Sequence, residues 1–142
     1  MPSSSSKRIL VVDDTADNLF LMEMVLQTQG YEVEVADSGQ AALAKIEAEP
    51  FDLVLLDVVM PGMNGIEVVR RIRQNRYLSS MSIIMLTGSS ILSEDNEFGN
   101  LETDGFICKP VEFKILLSRV SAILAAKDRT TRANKYQRLA SR

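Results

Sequence analysis

Leu53-Val54-Leu55-Leu56-Asp57-Val58-Val59-Met60-Pro61-Gly62-Met63-Asn64-Gly65 is the stretch whose reading decides the fold. Four apolar residues run without interruption into a carboxylate. A run with no solvent-facing alternation reads as a strand covered on both faces. Pro61-Gly62 and Asn64-Gly65 are turn pairs. Ile66 to Gln74 then places Ile66, Val69 and Ile72 at helical spacing. Buried strand, tight turn and helix in succession make half of a βαβ unit, and the same pattern extends in both directions.

Toward the N-terminus, Arg8–Val12 is a short apolar strand that stops at Asp13-Asp14. Asn18 to Gln29 reads as a helix with Leu21, Met24, Val25 and Thr28 inward, and Gly30 stands where it ends. Tyr31–Ala36 alternates, with Tyr31, Val33 and Val35 on one face. Ser38 is a helix N-cap candidate ahead of Ala41, Ala42, Leu43 and Ile46. Toward the C-terminus, Ser82–Leu86 is a strand ending at Thr87-Gly88, and Phe106–Cys108 is a short one ending at Lys109-Pro110. Phe113, Leu116, Leu117, Val120, Ile123 and Leu124 form a helical stripe. Ser89 to Gly105 is polar and makes a poor helix, so a short or irregular element is expected there. Strand and helix alternate five times, which predicts an α/β fold with a parallel sheet covered by helices on both faces.

Length and composition fit this. The 142 residues, 46% hydrophobic and 25% charged, suit one globular domain with a tail. Residues 1–6 read as a disordered leader, 7–126 as the domain and 127–142 as a basic tail, a linker or an extension of the last helix. Six basic residues and one acid give the tail +5, so the net charge of −3 is the sum of that and −8 over residues 1–126. An acidic body argues against nucleic-acid binding by the domain. No apolar run approaches the ~20 residues of a membrane span. The single cysteine builds no internal disulfide, and a cytoplasmic location is expected. Cys108 is expected to pack within its strand. The methionines Met22, Met24, Met60, Met63, Met81 and Met85 read as core and turn residues. Histidine is absent, which removes imidazole catalysis and most zinc sites.

The polar residues fall where chemistry is expected. Asp13-Asp14, Asp57, Thr87 and Lys109 each follow or end a strand. In an open parallel sheet these ends share one edge, and ligands bind there. Each residue alone has a plainer reading, since a chain leaving a strand must turn into solvent. Together they gather three carboxylates, a hydroxyl and one ammonium. Packed carboxylates repel unless a cation sits among them or a proton is shared; Lys109 supplies one positive charge, and oxygen ligands suit Mg²⁺ as a second.

Val11-Val12-Asp13-Asp14, Leu55-Leu56-Asp57-Val58-Val59-Met60-Pro61-Gly62-Met63-Asn64-Gly65, Leu86-Thr87-Gly88 and Lys109-Pro110 resemble the signature of response-regulator receiver domains. The likeness covers residues 7–126. It implies a doubly wound five-stranded sheet of flavodoxin-like order 2-1-3-4-5, as in the chemotaxis regulators. It further implies a regulatory phospho-acceptor of a two-component system rather than an enzyme acting on a separate substrate. Asp57 would take a phosphoryl group from a histidine kinase or histidine phosphotransfer protein. Asp14, Asp57 and the backbone carbonyl of Val59 would ligate Mg²⁺, with Asp13 acting through a water. Lys109 would pair with the phosphoryl oxygens and Thr87 would bring its hydroxyl to them. Phe106 would be the switch aromatic, Gly88 would leave room for the phosphoryl group, and the Lys109–Pro110 bond would be cis. Dimerisation on phosphorylation also belongs to the family. Phe106 has no phenolic hydroxyl, Asn100 to Gly105 departs from the family's small-residue pattern, and Val59 offers no polar side chain to an attacking water. Two other readings compete. A Mg²⁺-dependent aspartyl phosphatase would want a second carboxylate at position 59. A receiver-like binding module that takes no phosphate would usually lack one of the acceptor residues.

Overall fold

The computed structural model describes residues 6–78, 80–88 and 102–140, with side chains described to residue 127. Five strands form one parallel sheet: β1 Arg8–Val12, β2 Glu32–Ala36, β3 Leu53–Asp57, β4 Ser82–Thr87 and β5 Gly105–Cys108, in the order β2-β1-β3-β4-β5. This is the doubly wound order expected. Four helices accompany them among the described residues: α1 Ala16–Gln27, α2 Gly39–Ala48, α3 Gly65–Gln74 and α4 Phe113–Ala140. The irregular element expected over 89–105 falls mainly on 89–101, outside the described residues.

Alternation along the central strands builds two cores. Leu10, Val12, Val54, Leu56, Ile83 and Met85 face α2 and α3, where Ala42, Ile46, Val69 and Ile72 meet them. Ile9, Val11, Leu53, Leu55, Ile84 and Leu86 face the other way, onto Leu19, Met22 and Leu26 of α1 and Leu116, Val120 and Leu124 of α4. Because β1, β3 and β4 are covered on both sides, their central residues Ile9–Val12, Leu53–Leu56 and Ile83–Leu86 are all apolar, with polar residues only at the strand ends. Ser38 caps α2, its hydroxyl accepting from the Ala41 N–H at 3.1 Å. Asn64 caps α3, accepting from the Glu67 N–H at 3.0 Å.

Three packing expectations are corrected. α1 buries Leu19, Met22 and Leu26 instead of the Leu21, Met24, Val25, Thr28 stripe, and leaves Leu21 and Met24 about half exposed. Apolar side chains run almost round this helix, so sequence spacing allowed more than one face; contact with the sheet selects one. Phe113 is more than a third exposed, so the stripe on α4 begins in earnest at Leu116. Cys108 is exposed. It is the last residue of the edge strand β5. α4 continues unbroken past Lys127 to Ala140. The Lys127 ammonium donates to the Asp52 carbonyl at 3.0 Å near the opposite end of the sheet from Asp57.

Candidate functional site

Parallel strands end on one edge, so residues far apart in sequence meet there. Asp13 follows β1, Asp57 ends β3, Thr87 ends β4 and Lys109 follows β5. Asp13, Asp57 and Thr87 are almost wholly buried, whereas Asp14 is exposed. The Lys109 ammonium lies 2.8 Å from Asp57 Oδ2 and 3.9 Å from Asp13 Oδ2. The Val59 N–H donates to Asp57 Oδ1 at 3.3 Å. Asp13 accepts from the Thr15 N–H at 2.8 Å and from the Asn18 side-chain amide at 3.3 Å. The Lys109–Pro110 peptide is cis.

Burial raises the pKa of Asp57 above the ordinary carboxylate value, and the charge of Asp13 adds to the rise. The hydrogen bond and positive charge of Lys109 and the Val59 N–H pull the other way without cancelling it. One ammonium therefore undercompensates the buried negative charge. Carboxylate oxygens of Asp13, Asp14 and Asp57 lie within 4.8 Å of one another. All are hard oxygen donors, and the exposure of Asp14 leaves a side open to water. This donor set fits a small divalent cation that keeps part of its hydration shell.

The loop after Asp57 is shaped by glycine. Gly62 follows Pro61 with a φ of 75°, a conformation glycine adopts freely. At Gly65 the constraint is contact: an added Cβ would lie 2.4 Å from the Asp57 carbonyl oxygen and 2.9 Å from the Val58 Cα. The Gly65 N–H donates to the Val58 carbonyl at 2.8 Å, folding the start of α3 against the Asp57 turn. Val59 is exposed beside the site. The Thr87 hydroxyl donates to the Gly88 carbonyl at 3.3 Å, and a Cβ on Gly88 would meet open space. Phe106 is half-buried against the core beneath α2 and α3. Asn18 was not singled out from the sequence as a site residue; its place in the first turn of the helix after Asp13 was the available signal. A cavity of about 330 Å³ adjoins the carboxylates, lined in part by Asn18, Leu21, Met22, Lys109, Pro110 and Phe113.

Comparison with known proteins converges on one family. The family described as the response regulator receiver domain matches residues 9–121. A probable cyclic di-GMP phosphodiesterase of Vibrio cholerae is 39% identical over 140 residues, covering 96% of this chain and 31% of the relative. The transcriptional regulatory protein ResD of Bacillus subtilis is 38% identical over 136 residues, covering 94% of this chain and 55% of the relative. The chain thus spans about a third to a half of the length of these curated relatives. Among solved structures, the response regulator TrrA of Thermotoga maritima, in complex with Mg²⁺ and BeF, is 37% identical. It superposes with a TM-score of 0.73 over 82% of this chain and 98% of that one. The parallel sheet of order β2-β1-β3-β4-β5, with an acidic cluster on the edge where its strands end, accords with this match. The chain belongs to the response-regulator receiver domains, the phospho-acceptor modules of two-component signal transduction.

Proposed function

We propose that Asp57 is the acceptor and that the cluster around it is the phosphotransfer site. The observation that carries this is a buried carboxylate 2.8 Å from the Lys109 ammonium and within shared-ligand distance of Asp13 and Asp14. An Asp57 carboxylate oxygen attacks the phosphorus of a phosphohistidine on a histidine kinase or histidine phosphotransfer protein. The new O–P bond forms as the P–N bond breaks, and the imidazole leaves with the bonding electrons. Asp14, Asp57 and the Val59 carbonyl would hold Mg²⁺, with Asp13 acting through a water; the ion supplies charge neutralisation for the transferring group.

The protein's own residues do the rest. Lys109 pairs with phosphoryl oxygens once Asp57 carries the acyl phosphate. Thr87 turns its hydroxyl from the Gly88 carbonyl to the phosphoryl group, and Phe106 responds by moving inward. The Asn18 and Thr15 donors hold Asp13 in place while the charge in the site changes. Phe20, Leu21, Met24 and Phe113 are exposed apolar side chains on α1 and at the start of α4. They suit a helical surface of the phospho-donor, which must bring its histidine to Asp57. Val59 presents no group to orient a hydrolytic water, which favours a long-lived phosphorylated state.

Among the described residues no helix is long and apolar enough to cross a membrane, and a cytoplasmic location accords with the kinase partner. The decisive experiment is intact mass after incubation with acetyl phosphate, with and without Mg²⁺, on the wild type and Asp57→Ala. One added phosphoryl group is expected, dependent on both. Absence of the adduct with acetyl phosphate and with a histidine phosphotransfer donor alike would favour the binding-module reading.

A further inference from the structure

β5 is four residues long, lies at the edge of the sheet and, among the described residues, pairs with β4 alone. It nevertheless carries Phe106 and delivers Lys109 to Asp57. A strand with one ladder needs other fastenings if those side chains are to keep their positions. At its far end, the Lys109 N–H donates to the Thr87 carbonyl at 2.8 Å and the Lys109 ammonium meets Asp57. In the middle, Arg119 of α4 donates to the Phe106 carbonyl at 3.1 Å.

The approach to β5 is held by Arg73 of α3. Its Nε donates to the Glu102 carbonyl at 2.7 Å and its Nη1 to the Met81 carbonyl at 2.8 Å, while Nη2 lies 3.8 Å from Asp104 Oδ2. Asp104 closes the junction, its N–H donating to the Ile83 carbonyl and its carboxylate accepting from the Ile83 N–H, both at 2.7 Å. One planar guanidinium, largely shielded from water, thus ties the end of α3 to the starts of β4 and β5.

The other end of α3 sits on the acceptor loop through the Gly65–Val58 hydrogen bond and the close approach of Gly65 to the Asp57 carbonyl. A ten-residue helix is a rigid strut of about 15 Å. The contacts therefore close a ring: Asp57, Val58, Gly65, α3, Arg73, Glu102 to Asp104, β5, Lys109 and back to Asp57.

We infer that Arg73 is a positioning residue for the phosphorylation switch, fixing the start of β5 to the helix that rises from the acceptor loop. The inference rests on the roles proposed above for Asp57, Thr87, Lys109 and Phe106. Arg73 touches none of the reacting atoms. When Lys109 and Thr87 are drawn to the phosphoryl group, an anchored β5 cannot follow by sliding, so the response is confined to the Phe106 side chain. Without the anchor, β5 shifts as a whole and Phe106 samples both positions before any phosphoryl group arrives.

The test uses 4-fluorophenylalanine labelling, with the Phe106 fluorine resonance identified by Phe106→Leu and beryllofluoride plus Mg²⁺ standing in for phosphorylation. In the wild type, Phe106 is expected to give one resonance without beryllofluoride and a displaced one with it. In Arg73→Met the two states are expected to merge toward an averaged resonance, with most of the displacement lost. Arg73→Lys, a point donor that cannot span the same acceptors, should restore part of it. Arg71→Met, on the exposed side of α3, should match the wild type. Circular dichroism confirms folding, and if Arg73→Met does not fold, Arg73→Lys and Asp104→Asn read the same junction. Wild-type resonances in the folded junction variants would overturn the role of Arg73. A wild type that ignores beryllofluoride would instead overturn the Asp57 reading, and the role of Arg73 with it.

Discussion

Charge collects at both ends of the sheet, with different consequences. At the N-terminal end of the strands, Arg8 lies 2.6 Å from Glu34, 2.7 Å from Glu49 and 3.9 Å from Glu32, and it stacks over the Phe51 ring at 4.6 Å. Lys45 adds a second cation at 3.2 Å from Glu34. The glutamates there are 40–68% exposed, so water shares the work of solvating them. At the C-terminal end, Asp13 and Asp57 are only 2–3% exposed and share one ammonium. The first cluster is a satisfied surface network that ties β1 to β2 and to the end of α2. The second holds negative charge that the protein alone does not balance. An unbalanced buried charge identifies the functional end better than the number of charged residues does.

The largest expected effect that sharpens this contrast is divalent cation binding. If the acidic cluster lacks a cation, Mg²⁺ at a hundredfold excess over its Kd should stabilise the fold by about 2.7 kcal/mol. Thermal melts with and without EDTA measure this, and Asp14→Ala should remove most of it. Next comes Lys109→Met, which strips the site of its ammonium and leaves buried carboxylates unpaired. A loss of about 2 kcal/mol is expected in urea titrations at neutral pH without metal, below the full cost of breaking a buried pair because Lys109 is a third exposed.

A pH series on the metal-free protein follows. The native pKa of Asp57 is raised above its usual 3.8, so the native state holds this proton more tightly than the unfolded chain. The stabilising contribution is complete below 3.8 and is lost as pH rises through the raised native value. The stability of wild type minus that of Asp57→Ala should therefore fall with rising pH across that window in EDTA. A flat difference would show that Lys109 compensates the site fully. The smallest effect belongs to the opposite end of the sheet: Glu49→Gln should cost no more than about 1 kcal/mol and leave phosphorylation unchanged. A larger loss would mean that the Arg8 network is more than a solvated surface cluster.

The elements and the site were legible in the sequence to different depths. Continuous apolar runs such as Leu53–Leu56 leave a strand buried on both faces as the economical reading, and the carboxylate at its end marks the edge. Asp13, Asp57, Thr87 and Lys109 could be assembled on one edge because parallel strands impose a common direction. The face of α1 could not be read, because Leu19, Phe20, Leu21, Met22 and Met24 offer apolar side chains in several directions. Asn18 was equally hidden: an amide in a first helical turn gains a role only when Asp13 lies 3.3 Å away.

What the sequence determined by itself is therefore the alternation of strand and helix, the polar residues at the ends of four of the strands, and the turn that follows Asp57. These follow from local periodicity and from backbone limits at residues such as Gly62, which act over a few positions. What only the tertiary structure decided is which α1 face is buried, that Gly65 must lack a side chain because the Asp57 carbonyl occupies its place, and that Arg73 joins α3 to β5. Each of these depends on groups brought together by sheet order and helix docking, and such contacts have no period that a linear chain can display.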